Sequence, residues 1–159
     1  MAYTAPKEIA AKVRKLIAAE GIAPRAVSVR SDGNSVRVTI KDAAVGSDKV
    51  RAIVGQFEKI DRCPVSGEIL SGGNTYTFAS HDWELVRKVE QYVGQQVAAD
   101  ITAKGWAVWQ GFQVAREGGV WTAIKTGDVG RVLDSRCFDM AAAVSRVVQE
   151  ALRDGVSLN

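Results

Sequence analysis

The segment VSVRSDGNSVRVTIKD, residues 27–42, constrains the fold more than any other part of the chain. Apolar and polar residues alternate on both sides of Asp32-Gly33-Asn34, and alternation with a period of two is typical of strands that bury one face. Asp, Gly and Asn tolerate the positive φ values of a tight hairpin turn. The segment therefore predicts a β-hairpin with valines on its buried side and arginines on its outer side.

The outer side of this hairpin carries basic residues that have two open interpretations. Arg30, Arg37 and Lys41 alternate with the buried positions, and Arg25 comes just before the first strand. Such side chains contact phosphates or an acidic protein surface through charge-assisted hydrogen bonds. They also commonly cover the solvated side of a sheet. Aromatic residues, which single-strand binders interleave with basic ones, are absent from residues 27–42.

The net charge of +3 is concentrated in the N-terminal part of the chain. Residues 1–62 contain 12 Lys and Arg against 7 Asp and Glu, whereas residues 63–159 contain 9 against 11. An excess of positive charge favours nucleic acid or an acidic protein surface as a partner. It excludes a strongly acidic protein that imitates DNA.

Helical periodicity and turn residues predict an α+β fold with antiparallel sheets covered by helices. The predicted element order is α-β-β-α-β-β-α-β-β-β-α. A composition of 47% hydrophobic and 25% charged residues is typical of a folded globular chain. We expect an αββαββ unit over residues 1–79 and an αβββα unit over residues 80–159, either separate or packed as one domain.

Local signals add four finer expectations. Ser47 is expected to cap the second helix, which would end near Lys59. Residues 67–80, GEILSGGNTYTFAS, predict a second hairpin with its turn at residues 71–74. Ser80 is expected to cap a long third helix, and residues 106–116, WAVWQGFQVAR, are expected to form one strand.

The sequence contains no recognisable catalytic or metal-binding motif. His81 is the only histidine, and it is expected to be exposed beside a helix-capping Asp82. Cys63 and Cys137 have neither CxxC spacing nor further zinc ligands beside them. The glycine-containing segments lack the Lys-Ser/Thr of a phosphate-binding loop. We expect a protein that is not an enzyme and that has no cofactor and no metal; a site built from scattered residues is a further alternative.

Trp106 and Trp109 form a second candidate surface. Their odd separation places them on opposite faces of a strand, so one of them is expected to be poorly covered. Exposed tryptophan is a common anchor of protein interfaces. The alternative is that both indoles are buried between a helix layer and a partner layer.

Hydropathy predicts a cytoplasmic protein without a membrane partner. No segment approaches the roughly 18 apolar residues of a membrane-spanning helix. The segment MAYTAPKEIAAKVRK lacks the apolar core of a signal peptide.

Residues 7–42, KEIAAKVRKLIAAEGIAPRAVSVRSDGNSVRVTIKD, and residues 48–58, DKVRAIVGQFE, share motifs with a known family. The shared motifs are SVRS at residues 28–31, IV at residues 53–54 and FE at residues 57–58. On these motifs, the segment from about residue 5 to residue 80 resembles the large polyvalent protein-associated domain type 29. The resemblance implies an origin in a phage, plasmid or integrative element, and it implies no catalytic residues.

Taken together with its charge, this resemblance leads us to expect a phage or mobile-element protein that inhibits a host defence complex. It would act as an anti-CRISPR protein does, by occupying the surface of a protein or ribonucleoprotein complex in the bacterial cytoplasm. The alternative is a sequence-tolerant nucleic-acid-binding protein of a mobile element. The residues expected to contact the partner are Arg25, Arg30, Arg37, Lys41, Trp106 and Trp109.

Overall fold

Backbone hydrogen bonds form two separate sheets, one of three strands and one of four. Each sheet belongs to its own unit of the chain. A computed structural model describes residues 5–70, 73–126 and 131–158, with the backbone alone at residues 131–132 and 134–135. Unit 1 comprises residues 1–82 with 154–157, and unit 2 comprises residues 83–153 with 158–159. The α+β class is confirmed.

Unit 1 contains two helices, one 3-10 turn and a mixed sheet. The strand order is β1-β2-β3, with β1 antiparallel to β2 and β2 parallel to β3. The elements are α1 (Pro6–Ala19), the 3-10 turn (Pro24–Ala26), β1 (Val27–Asp32), β2 (Ser35–Ile40), α2 (Ser47–Gly55) and β3 (Tyr76–His81).

The predicted first hairpin forms, and its apolar side is the core of unit 1. Asp32 pairs with Ser35 across a two-residue turn in which Gly33 adopts a φ of +52°. Val36, Val38 and Ile40 have no solvent exposure. These residues share a core with the apolar stripes of both helices: Ile9, Ala10, Val13 and Ile17 of α1, and Val50, Ile53 and Val54 of α2. The helices therefore cover one side of the sheet.

The second predicted hairpin is wrong. Within residues 67–80 the structure has one strand, β3, and it pairs in parallel with β2 rather than with the segment before it. Two isolated bridges, Lys59–Thr75 and Arg62–Ile69, hold the segment between α2 and β3. Two residues of the predicted turn, 71 and 72, lie outside the described residues. Parallel strands need a crossover connection, and α2 lies within that connection.

Unit 2 is an antiparallel meander with one helix before it and one after it. The strand order is β4-β5-β6-β7. The elements are α3 (Trp83–Lys104), β4 (Trp106–Trp109), β5 (Phe112–Glu117), β6 (Val120–Lys125), β7 (Arg131–Cys137) and α4 (Met140–Asp154).

The single strand expected over residues 106–116 is in fact two strands. Gln110 with a φ of 45° and Gly111 with a φ of 81° form a tight turn between β4 and β5. A glutamine with positive φ is uncommon, so the sequence gives little signal for this turn. The predicted αβββα unit is therefore an αββββα unit.

The two helices of unit 2 bury the stripes that their periodicity predicts, and polar contacts fix α4. Val89, Val93 and Val97 of α3 are buried.

The carboxylate of Asp139 accepts a hydrogen bond from the backbone N–H of Ala142 at 2.8 Å, which caps the start of α4. The hydroxyl of Ser145 donates to the carboxylate of Glu90 at 2.6 Å and ties α4 to α3.

Two predicted helix caps are wrong. Ser80 is part of β3, and α3 begins at Trp83. Ser47 is the first residue of α2 and is buried, while Gly46 occupies the capping position. Helix α2 ends at Gly55, before the predicted end near residue 59.

Within the part of the chain that the structure describes, no helix is long and apolar enough to cross a membrane.

Gly155 allows the C-terminal segment of unit 1 to approach the loop before α2. The backbone N–H of Val156 donates to the carbonyl of Ala43 at 2.7 Å. Gly155 has a φ of +88°, and a Cβ placed on it would lie 2.5 Å from the carbonyl oxygen of Ala44. A side chain would thus meet both backbone strain and a backbone clash.

We expect Gly155→Ala to lower the free energy of unfolding by roughly 1–3 kcal/mol, because the alanine must either shift the loop or leave its left-handed conformation. Urea unfolding followed by far-ultraviolet circular dichroism measures this change. Gly94→Ala in α3 is the control, since a Cβ there meets nothing within 4 Å, and it should stabilise by about 0.5–1 kcal/mol. Wild-type stability in Gly155→Ala would contradict the close approach.

Candidate nucleic-acid interface

Strand β3 brings aromatic residues beside the basic residues of the hairpin. The register aligns Arg30 with Arg37, and Arg37 with Phe78, so that the three side chains form a row across the sheet. Both arginines are exposed, and Phe78 is 46% exposed. This row lies on the side of the sheet opposite to the buried valines. We call this side the outer face, and its residues are Ser28, Arg30, Asp32, Ser35, Arg37, Thr39, Tyr76, Phe78 and Ser80.

Arg37 and Phe78 make a cation–π contact at the centre of the outer face. The guanidinium carbon of Arg37 lies 5.1 Å from the centroid of the Phe78 ring. At an exposed site such a contact stabilises by about 0.5–1 kcal/mol. It keeps a positive charge beside an exposed aromatic ring.

Arg30 and Arg37 are directly opposite each other on neighbouring strands. Like charges in this arrangement destabilise a sheet by a few tenths of a kcal/mol to about 1 kcal/mol. Among the described residues, neither arginine forms an ion pair. The carboxylate that shares the outer face, Asp32, lies two residues along β1 at the hairpin end. The centre of the outer face therefore concentrates positive charge.

Hydroxyl groups flank the central row on both sides. Ser28, Thr39 and Ser80 align in the row toward the start of β1. Ser35 and Tyr76 align in the row toward the hairpin turn. Each hydroxyl both donates and accepts hydrogen bonds. The outer face thus combines cations, aromatic rings and small polar groups.

The other two predicted basic residues lie at one end of the sheet. Lys41 directly follows β2, and its backbone N–H donates to the carbonyl of Ala26 at 2.8 Å. This bond places it near Arg25, which is exposed in the 3-10 turn before β1. Both residues extend the positive charge beyond the row that contains Thr39.

The free edge of β1 is partly closed by a side chain of α1. A guanidinium nitrogen of Arg14 donates to the carbonyl of Val29 at 2.6 Å. Beside this bond lies a groove of about 400 Å³, lined mainly by apolar residues of α1 and β1. A side chain that occupies edge hydrogen-bonding groups hinders pairing with another strand. The carbonyl of Val29 on this edge is therefore already occupied.

The two tryptophans of β4 lie on opposite faces of the strand, as their spacing predicts. Trp106 is 45% exposed and shares its face with exposed Val108. Trp109 is 8% exposed and belongs to the core of unit 2 together with Ala107. The ammonium of Lys104 lies 5.6 Å from the centroid of the Trp106 ring. Of the two, Trp106 alone presents substantial surface to a partner.

The prediction that His81 is exposed at the start of a helix is wrong. It is the last residue of β3 and is half-buried, and its Nε2 lies 3.0 Å from the carbonyl oxygen of Val45. Burial lowers the pKa of His81, and the bond with the Val45 carbonyl opposes this shift. These features fit a structural histidine that joins β3 to the loop before α2.

The described residues contain no cluster of three or more His, Cys, Asp or Glu side chains that could hold a metal ion. Neither Cys63 nor Cys137 is in a disulfide, and the first is half-buried and the second buried. The side chain of Ser66, followed by the backbone at Ser66 and Val65, lowers the pKa of Cys63 to about 7. The Ser66 hydroxyl also donates a hydrogen bond to the carboxylate of Glu68 at 3.3 Å. Cys63 is therefore more readily ionised than an ordinary cysteine thiol.

Sequence reasoning missed Tyr76 and Phe78. Their spacing, two residues apart in YTFAS, already indicated that both lie on one side of a strand. It did not indicate that this strand pairs with β2. The partner strand is what places the two rings beside Arg37.

Comparison with protein-family models, with curated proteins and with solved structures gave no match. The resemblance over residues 5–80 therefore stays a prediction.

We expect Cys63 to react with iodoacetamide at a rate that rises through about pH 7, because the thiolate is the reacting species. Ser66→Ala removes the side chain that contributes most to the lowered pKa of Cys63, so the rise in rate should move to higher pH. Mass spectrometry of alkylated peptides gives both rates, and buried Cys137 is the internal control. Identical pH profiles for the wild type and Ser66→Ala would contradict the role of Ser66 in lowering the pKa of Cys63.

Proposed function

We propose that the chain binds nucleic acid, with little dependence on sequence, through the outer face of unit 1. The observation that supports this proposal is the central row of Arg30, Arg37 and Phe78. It combines two opposed cations that have no ion pair among the described residues with an exposed aromatic ring.

A phosphate group would relieve the repulsion between the two arginines. A guanidinium binds phosphate oxygens through two parallel hydrogen bonds, which are stronger than bonds between neutral groups. Arg30 and Arg37 lie on adjacent strands about 5 Å apart, so one phosphate or two successive ones can reach both. Each neutralised phosphate releases counterions, which favours binding at low salt.

The composition of the outer face supports tolerance of sequence. Direct reading of bases commonly uses Asn or Gln to adenine, or Arg to guanine in a groove. None of the nine outer-face residues is Asn or Gln, and the proposal assigns the two arginines among them to phosphates. Contacts to phosphates, to sugars and to the flat faces of bases carry little sequence information.

The inhibitor of a host defence complex, which the sequence analysis put first, is the second candidate function. Trp106 and Val108, exposed together on β4, favour it, because protein interfaces centre on aromatic and apolar anchors. On the outer face, by contrast, Phe78 and Tyr76 stand among charged and hydroxyl-bearing residues. A pull-down that recovers one host defence complex after nuclease treatment would support this second candidate. The complex should no longer be recovered with the variant Trp106→Ser.

We expect the double variant Arg30→Gln/Arg37→Gln to weaken binding to a mixed-sequence labelled oligonucleotide by about tenfold or more at low salt. It should also reduce the slope of log affinity against log salt concentration by about 1.5, since two phosphate contacts are lost. Fluorescence anisotropy over a range of salt concentrations measures both quantities.

The matched control is Lys12→Gln/Lys15→Gln, which removes the same net charge from exposed positions of α1. This control should leave the salt slope nearly unchanged, because α1 packs on the opposite side of the sheet. An equal loss in both double variants would show that net charge rather than the outer face determines binding. An affinity that does not change with salt concentration would contradict the proposal altogether.

A further inference from the structure

We infer that the outer face accepts single strands, with two consecutive unpaired bases stacked on Phe78 and Tyr76. This inference rests on the proposed function and specifies its ligand as unpaired nucleotides of RNA or DNA. It is carried by the spacing of the two rings, by the exposure of Phe78 and by the position of the arginines beside them.

The spacing of the rings matches a stretched strand rather than a duplex. Phe78 and Tyr76 are two residues apart on β3 and share the outer face. Two residues along a strand span about 7 Å. Successive bases in one strand of a duplex are about 3.4 Å apart. Two neighbouring bases can therefore contact both rings only when they are unstacked from each other.

The exposed ring of Phe78 is also a poor contact for a duplex. Paired bases present their edges in the grooves, whereas their flat faces are covered by the bases above and below. A phenyl ring has no hydrogen-bonding group with which to read an edge. An unpaired base presents its flat face, and stacking of a base on an aromatic side chain is worth about tenfold or more in affinity.

The arginines are placed for the phosphates of the same strand. The two rings lie along β3, and Arg37 and Arg30 lie on the next two strands at the level of Phe78. Neighbouring strands are about 5 Å apart. Bases on β3 and phosphates toward β2 and β1 would thus run side by side. The Arg37 guanidinium, which already contacts the Phe78 ring, would lie between these two lines.

The hydroxyl row offers contacts to the sugar of a following nucleotide. Ser80 continues the outer-face positions of β3 beyond Phe78, and Thr39 and Ser28 align with it. A hydroxyl can accept from, or donate to, the 2′-hydroxyl of RNA, and it can donate to a phosphate oxygen of either nucleic acid. Single-stranded RNA and single-stranded DNA both supply the unpaired, stackable bases that the outer face requires. Separate RNA and DNA probes show which of the two binds more tightly.

The test compares four labelled probes of equal length: oligouridylate, oligothymidylate, a DNA duplex and an abasic deoxyribose-phosphate oligomer. We expect either homopolymer to bind about tenfold or more tightly than the duplex, and about a hundredfold more tightly than the abasic oligomer, because two stacked bases contribute about tenfold each. The abasic probe keeps the phosphates and removes the bases, so it isolates the stacking contribution.

Phe78→Leu and Tyr76→Leu should each reduce the preference for the homopolymer over the abasic oligomer by about tenfold, while the salt slope is kept. Phe138→Leu is the matched control, because Phe138 is fully exposed and lies in unit 2. Circular dichroism confirms that each variant is folded. The comparison of homopolymer with abasic oligomer on the wild-type protein tests stacking even if a variant fails to fold.

The outcomes separate the two proposals. Equal affinity for single strands, duplex and abasic oligomer, with an intact salt slope, would overturn the single-strand inference and leave nucleic-acid binding standing. Loss of the homopolymer preference in Phe138→Leu, but not in Phe78→Leu, would overturn the assigned stacking position. Absence of salt-dependent binding to all four probes would overturn both proposals.

Discussion

The parallel pairing of β2 with β3 is the interaction on which the proposed site depends. It places Phe78 level with Arg37 and Tyr76 level with Ser35, so that aromatic and basic residues from separate parts of the sequence share one surface. The same pairing extends the sheet that covers the buried side of α1 and α2. A change that disrupted this register by one residue would turn Phe78 toward the core and Ala79 toward solvent. The core and the outer face are therefore set by one register.

This register joins a stabilising contact to a destabilising one. The cation–π contact of Arg37 with Phe78 is worth about 0.5–1 kcal/mol, which is comparable to the repulsion between opposed Arg30 and Arg37. The two effects nearly offset each other in the free protein. An anion bound between the arginines would remove the repulsion and leave the favourable contact in place. Under the proposed function, the outer face is thus better suited to a bound anion than to solvent alone.

Much of the fold follows from local patterns, and the parts that do not follow from them share a cause. The hairpin and the four helices were predictable because alternation and helical spacing are properties of a contiguous segment. Alternation in YTFAS revealed which side chains share a face but not which strand lies next to them. The turn at Gln110 and the structural bond of His81 likewise depend on tertiary context. Sequence reasoning therefore found the arginines of the proposed site and missed its aromatic residues.

The most direct test of this account is an NMR titration of the protein with a short oligouridylate, following backbone amides and aromatic side-chain protons. The account predicts that the largest shifts fall on the rings of Phe78 and Tyr76 and on amides of β1, β2 and β3 around Arg30 and Arg37. Residues on the solvent side of α1 and residues of unit 2 should shift little. Shifts centred on Trp106 and Val108, or on the basic side of α1, with Phe78 unchanged, would contradict the claim that the outer face is the nucleic-acid site.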